Sequence, residues 1–231
     1  SNDSELIQAI GSESADVLRC AILDCPSSYA LLPESLEIPE FKKQTPGDDN
    51  KKCYQFIAIQ SPPEKEEMFQ FIKSKVNGSM FAFHGSEPKC WNKINREELK
   101  NLTGTKFMLH GSAYGEGIGL TLNSDTAIQY SLETPNQYPN SQLGKNISIV
   151  ALCEVANLPN REMVSFDFDS VANGNHQTCT LKGQIRKNDW NYMLTLEEAC
   201  IIRYLFVNFD TKIDFEKSPI PKIPTIEDLK K

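Results

Sequence analysis

The chain has 231 residues, enough for one sizeable domain with a small appendage, and its 39% hydrophobic and 24% charged content is ordinary for a globular protein. A formal charge of −7, with no run of Lys or Arg longer than a pair, argues against a nucleic-acid-binding face as the main role. The longest apolar stretches fall short of the roughly 18–20 residues that cross a bilayer, so no membrane segment is expected.

Residues 3–24 place Leu6, Ile7, Ile10, Val17, Leu18, Ala21 and Ile22 at helical spacing interrupted by Gly11-Ser12, which predicts two short helices. A connector rich in Pro and charge follows over 31–52, so residues 1–50 form a helical region with its linker. The main domain is expected over 51–215. "CYQFIAIQ" (53–60) reads as a strand, and Pro62-Pro63 opens a helix whose apolar side is Met68, Phe69, Ile72 and Val76, ended by Asn77-Gly78. "SMFAFHG" is the next strand. Lys89–Lys100 follows as a helix burying Trp91, Ile94 and Leu99, and "TKFMLHG" is extended.

Further on, Asp125–Ser131 reads as a short helix capped by Ser124. "ISIVALCEVANL" (147–158) is apolar almost throughout and reads as a strand covered on both faces. The polar stretch 159–189 holds short strands and loops, and "NYMLTL" and "CIIRYLFVNF" close the domain as strands. Residues 216–231 form a Pro-rich tail. Strands dominate the last part of the domain and helices intersperse irregularly, so the fold class is α+β rather than a doubly wound sheet.

The seven cysteines (20, 25, 53, 90, 153, 179, 200) make no C-x-x-C pair, and their odd number speaks against a closed disulfide framework. Neither a metal site nor a metal cofactor is expected. Cys153 and Cys200 sit in apolar runs as small hydrophobes, and reduced thiols favour a cytoplasmic or nuclear compartment.

Two of the three histidines stand in His-Gly-Ser triplets, at 84–86 and 110–112. The second leads into "AYGEGIGL", whose glycines give G-x-G but have Leu120 where a dinucleotide-binding fingerprint needs its third glycine. No G-K-[ST] follows for a phosphate loop. Those glycines read more simply as positions of positive φ or close backbone approach.

Several patterns occur together in one order: "FAFHGS…W..I", "TK..LHG.AYG.GI.L", a short helix ending "YS", "SIVALCEV", and a closing strand with "IRYLFV". In that combination the chain resembles the ADP-ribosyltransferase domain of the poly(ADP-ribose) polymerase superfamily, nearest its mono-ADP-ribosylating branch, from about residue 54 to 208. The resemblance implies two packed β-sheets split by a cleft that grips NAD, the ADP-ribose donor, with a protein as acceptor. It further implies that His84 bonds the adenosine ribose, that the Gly85 backbone pairs with the nicotinamide amide, and that the Ser86 hydroxyl reaches a ribose. A bare glycine suits that role, because a planar amide needs one backbone donor and one acceptor, and a side chain would obstruct it. Tyr130 falls where the family stacks an aromatic ring, and Tyr114 matches the tyrosine of the relatives' own A-Y-G.

Two positions depart from the family's pattern. The tyrosine that covers the other face of the nicotinamide is here Gly119, which removes an aromatic contact of about 1 kcal/mol. The third signature position, often Glu, falls on Asn191, with Tyr192 as the one-residue alternative. An uncharged residue there argues for mono- rather than poly-ADP-ribosylation. It also leaves open a catalytically impaired module that binds NAD, ADP-ribose or a protein partner.

Overall fold

The computed structural model describes residues 27–41, 53–105, 115–131, 147–172 and 175–209. The expected N-terminal helices, the second His-Gly-Ser triplet with Tyr114, and the Pro-rich tail lie outside the described residues.

Among the described residues there are ten strands: β1 Ser28–Leu31, β2 Cys53–Gln60, β3 Ser79–Ser86, β4 Ile118–Thr121, β5 Ile147–Ala156, β6 Val164–Ala172, β7 Asn175–Gly183, β8 Ile185–Asn188, β9 Asn191–Leu194 and β10 Cys200–Phe209. The α-helices among these residues are α1 Pro63–Lys75, α2 Trp91–Glu97 and α3 Ser124–Ser131. Eight strands form one antiparallel sheet in the order β1-β2-β10-β5-β3-β4-β9-β8, and β6 and β7 form a separate two-stranded ribbon. The fold is therefore α+β and rich in strands.

Within the large sheet the strand pairing is uneven. β3 pairs with β5 along its whole length, Ser79 to Ser86, but meets β4 at one residue pair, Phe83 with Thr121. A single bridge joins the half β1-β2-β10-β5-β3 to the half β4-β9-β8, so the sheet is continuous in hydrogen bonding yet has a seam.

Side-chain alternation with period two builds a core on each face. Cys153, Val155, Leu205 and Val207 join Phe69 and Ile72 of α1 in the larger core, while Phe83, Val150 and Phe206 join Ala127 of α3 in the smaller. Phe69 and Ile72 are completely buried, each worth about 1.5–3 kcal/mol. The helix is also tied down by charge. Arg203 grips Glu66 with two bonds of 2.7 and 2.9 Å and donates to Glu154 at 2.8 Å. Phe71, on the same helix, meets the ribbon edge-on at Phe168, ring centroids 5.2 Å apart.

Three local features differ from the sequence reading. Residues 28–31, given no strand in the sequence reading of the helical region and its linker, form one because Tyr29–Leu31 pair with Phe56–Ala58 of β2. The connector is then pinned by Gln55, whose buried side-chain amide both accepts from Ile38 N (2.8 Å) and donates to Ile38 O (2.9 Å). Asn123, not Ser124, caps α3: its Oδ1 accepts from Asp125 N (2.8 Å) and Thr126 N (3.2 Å), which makes Ser124 the first helical residue. Finally, the polar stretch after β5 folds into two nine-residue strands, longer than its composition suggested.

Candidate active site

Where the halves part, a cavity of about 500 Å³ opens, in the range of small-molecule sites. His84, Gly85 and Ser86 line it from β3, Gly119 and Thr121 from β4, Tyr130 from α3, and Asn191 from β9. The seam gathers most of the residues picked out in the sequence. Tyr192 is the exception: strand alternation turns it to the opposite side, where it is buried in the larger core and does not line the cavity. Of the two alternatives for the third signature position, Asn191 lines the cavity and Tyr192 does not.

His84 Nδ1 lies 2.8 Å from the carbonyl oxygen of Gly119, across the seam. A carbonyl only accepts, so Nδ1 carries the proton and donates. Burial lowers the ring's pKa, the Gly119 hydrogen bond partly opposing it, and the imidazole is neutral at neutral pH. Nε2 consequently carries a lone pair and serves as an acceptor. A ribose hydroxyl is the kind of donor this atom can receive.

Trp91 anchors the far end of the triplet. Its indole Nε1 donates to Ser86 O at 3.0 Å, and its ring stands edge-on to His84 with centroids 6.4 Å apart. The sequence marked Trp91 as core; it is buried, and it also holds the strand end that bears Ser86.

Gly85 is bare for a reason that sequence reasoning assigned wholly to ligand access. A Cβ at this position would meet the Ala127 carbonyl oxygen at 1.8 Å, so α3 rests directly on the glycine backbone. This approach is what brings Tyr130, on the same helix, to the cavity. Gly117, at φ +123, has a similar constraint, since a Cβ would lie 2.6 Å from Leu194 O. Gly119 is different: its φ is ordinary and the nearest atom to a Cβ would be Met193 Sδ at 3.9 Å. Nothing in the packing excludes a Cβ there.

Two carboxylates missed in the sequence also line the cavity, Glu87 and Glu98, both buried. Glu87 is paired with Lys89. Glu98 ends α2 at φ +63, and its carboxylate accepts from Ser27 Oγ (2.9 Å) and Ile202 N (3.4 Å). Burial raises the Glu98 pKa, with Lys65, these hydrogen bonds and Arg203 opposing it. Sequence gave no warning of this residue, because only the fold brings residues 27, 98 and 202 together.

No protein-family model matches the chain. Part of it is similar to two curated proteins. Protein mono-ADP-ribosyltransferase PARP8 of Mus musculus is 33% identical over 131 residues, covering 46% of this chain and 15% of the mouse protein. Protein mono-ADP-ribosyltransferase PARP8 of Homo sapiens is 44% identical over 78 residues, covering 34% of this chain and 9% of the human protein. The chain thus spans a small fraction of the length of these relatives. Over that part, its similarity is to proteins named as mono-ADP-ribosyltransferases.

Proposed function

We propose that the chain binds NAD in the seam cavity and transfers a single ADP-ribose to a protein acceptor. The observation that carries this reading is the 2.8 Å bond from His84 Nδ1 to Gly119 O, which leaves Nε2 as an acceptor beside the backbone of Gly85. Tyr130 and Asn191 line the same cavity, and the similarity to mono-ADP-ribosyltransferases points to the same chemistry.

In this reading NAD supplies an ADP-ribose whose bond to nicotinamide breaks with positive charge growing on the ribose, as in glycoside cleavage. His84 Nε2 accepts a ribose hydroxyl, the Gly85 backbone receives the carboxamide, the Ser86 hydroxyl reaches a ribose, and Tyr130 offers a flat ring face. Asn191 offers the dipole of its side-chain amide rather than a full charge, so it orients more than it stabilises. Glu87 and Glu98 do not replace the absent acid: one is paired with Lys89 and the other holds Ser27 and Ile202. Reading this site as mono- rather than poly-transferring follows from that lack of a free carboxylate at position 191. The free thiols at Cys53, Cys90, Cys153, Cys179 and Cys200 fit a cytoplasmic or nuclear setting.

The experiment is incubation with labelled NAD, followed by a blot for modified protein. Label that disappears in His84→Ala supports the transferase. A second reading, a module that binds NAD or ADP-ribose without transfer, is favoured by one specific observation: Gly119 and Asn191 both lack the groups that grip and activate the nicotinamide end. Ligand-induced thermal stabilisation with no label incorporated would select it.

A further inference from the structure

Resting on the NAD reading above, we infer that Met193 supplies the nicotinamide contact that the missing ring at Gly119 would otherwise make. Gly119 and Met193 are direct cross-strand partners in the β4–β9 ladder, so their side chains project on the same side. Both line the cavity, and Met193 follows Asn191 by two residues, on the same face of β9. Its sulfur is the nearest atom to the place where a Gly119 side chain would begin, at 3.9 Å. Met193 is only 4% exposed, so its thioether is held by packing rather than swinging in solvent.

The chemistry suits the place. A thioether is polarizable and favours contact with aromatic rings, and the nicotinamide of NAD is a cationic aromatic ring that attracts a sulfur lone pair. An unbranched side chain also adapts to the space left by an absent one. Met193 therefore sets how tightly the nicotinamide half is held, while the ADP-ribose half depends on His84 and Ser86. Nothing in the one-dimensional pattern "NYMLTL" distinguishes this methionine from a core residue; its pairing with a glycine across the seam does.

Binding of NAD and of ADP-ribose is measured by calorimetry on the whole chain carrying Met193→Leu, a swap that keeps volume and removes sulfur. The expected result is NAD binding weakened about two- to tenfold with ADP-ribose binding unchanged. In a Gly119→Tyr background the same swap should cost little, because a ring then occupies the contact. An unaltered melting temperature confirms that Met193→Leu folds. If NAD and ADP-ribose both bind the parent chain and the swap changes neither, or weakens both alike, the inference about Met193 is overturned and the NAD reading stands. If neither ligand binds the parent chain, the NAD reading fails and takes this inference with it.

Discussion

His84 and Gly119 belong to strands that share a sheet yet barely pair, and a 2.8 Å hydrogen bond from imidazole to carbonyl ties them beside the Phe83–Thr121 bridge. One residue therefore does two things: it clamps the seam with Nδ1 and lines the cavity. His84→Ala removes both. NAD binding should weaken about tenfold, the worth of one or two hydrogen bonds, and the melting temperature should fall as the Gly119 carbonyl loses its partner. Calorimetry with NAD and a melting curve read the two effects separately.

The state of that ring gives a pH dependence. Burial holds the folded pKa of His84 below the ordinary value of 6.5, so the unfolded chain takes up a proton first as pH falls. The His84 contribution to stability is complete above about pH 6.5 and is lost as pH falls from there through the lowered folded value. NAD binding should stay level through pH 6.5 and weaken only once the folded ring charges. Affinity followed across an acid titration, with His84→Gln as the non-titrating control, checks this.

The two glycines of the seam should answer oppositely to substitution. Gly85→Ala drives a methyl into the Ala127 carbonyl, where the partner is backbone and cannot step aside, so a loss of about 1–3 kcal/mol or more is expected in denaturant unfolding. A Cβ at Gly119 meets only Met193 Sδ, at an ordinary contact distance of 3.9 Å, so Gly119→Tyr should fold normally. Its ring should tighten NAD binding about three- to tenfold, a gain of one aromatic contact. Unchanged affinity in a folded Gly119→Tyr protein would mean that the nicotinamide does not lie against β4.

Asn191 is half-buried at the cavity, so a carboxylate can be seated there without entering the core. Asn191→Glu should raise the rate of label transfer from NAD by about tenfold or more, by meeting the developing charge on the ribose. Asn191→Leu should abolish it. Single-turnover kinetics with labelled NAD distinguish these rates from changes in affinity.

Glu98 offers a separate check on the cavity's inner wall. Because burial raises its folded pKa above the unfolded value, the protonated form is favoured in the fold. Stability from this group is present at acid pH and is lost as pH rises through the folded pKa. Glu98→Gln keeps an acceptor for Ser27 and stays neutral, so it should melt higher than the parent at neutral pH and converge with it in acid. A lower melting temperature for Glu98→Gln at neutral pH would contradict the assignment of burial as the dominant influence.

Strands and helices with strong periodicity were legible in the sequence: "CYQFIAIQ" and "CIIRYLFVNF" coincide with β2 and β10 residue for residue. Their apolar content lets them sit between neighbours on both sides, and such runs have few alternatives. β1 was not legible, because a four-residue strand of mixed polarity is created by its partner β2 rather than by its own pattern. At the site, His84, Gly85, Ser86, Tyr130 and Asn191 were recognisable by motif, and the fold assembles them around one cavity. Met193 and Glu98 were not. Their significance lies in what stands opposite them, a glycine for one and Ser27 with Ile202 for the other, and neither relation is written along the chain.

A crystal of this chain soaked with a non-hydrolysable NAD analogue would show directly whether the dinucleotide occupies the seam. The carboxamide is expected to pair with the Gly85 backbone, a ribose hydroxyl to reach His84 Nε2, and the nicotinamide ring to lie between Tyr130 and Met193. Analogue bound elsewhere, or a seam that stays empty at saturating ligand, would contradict this arrangement.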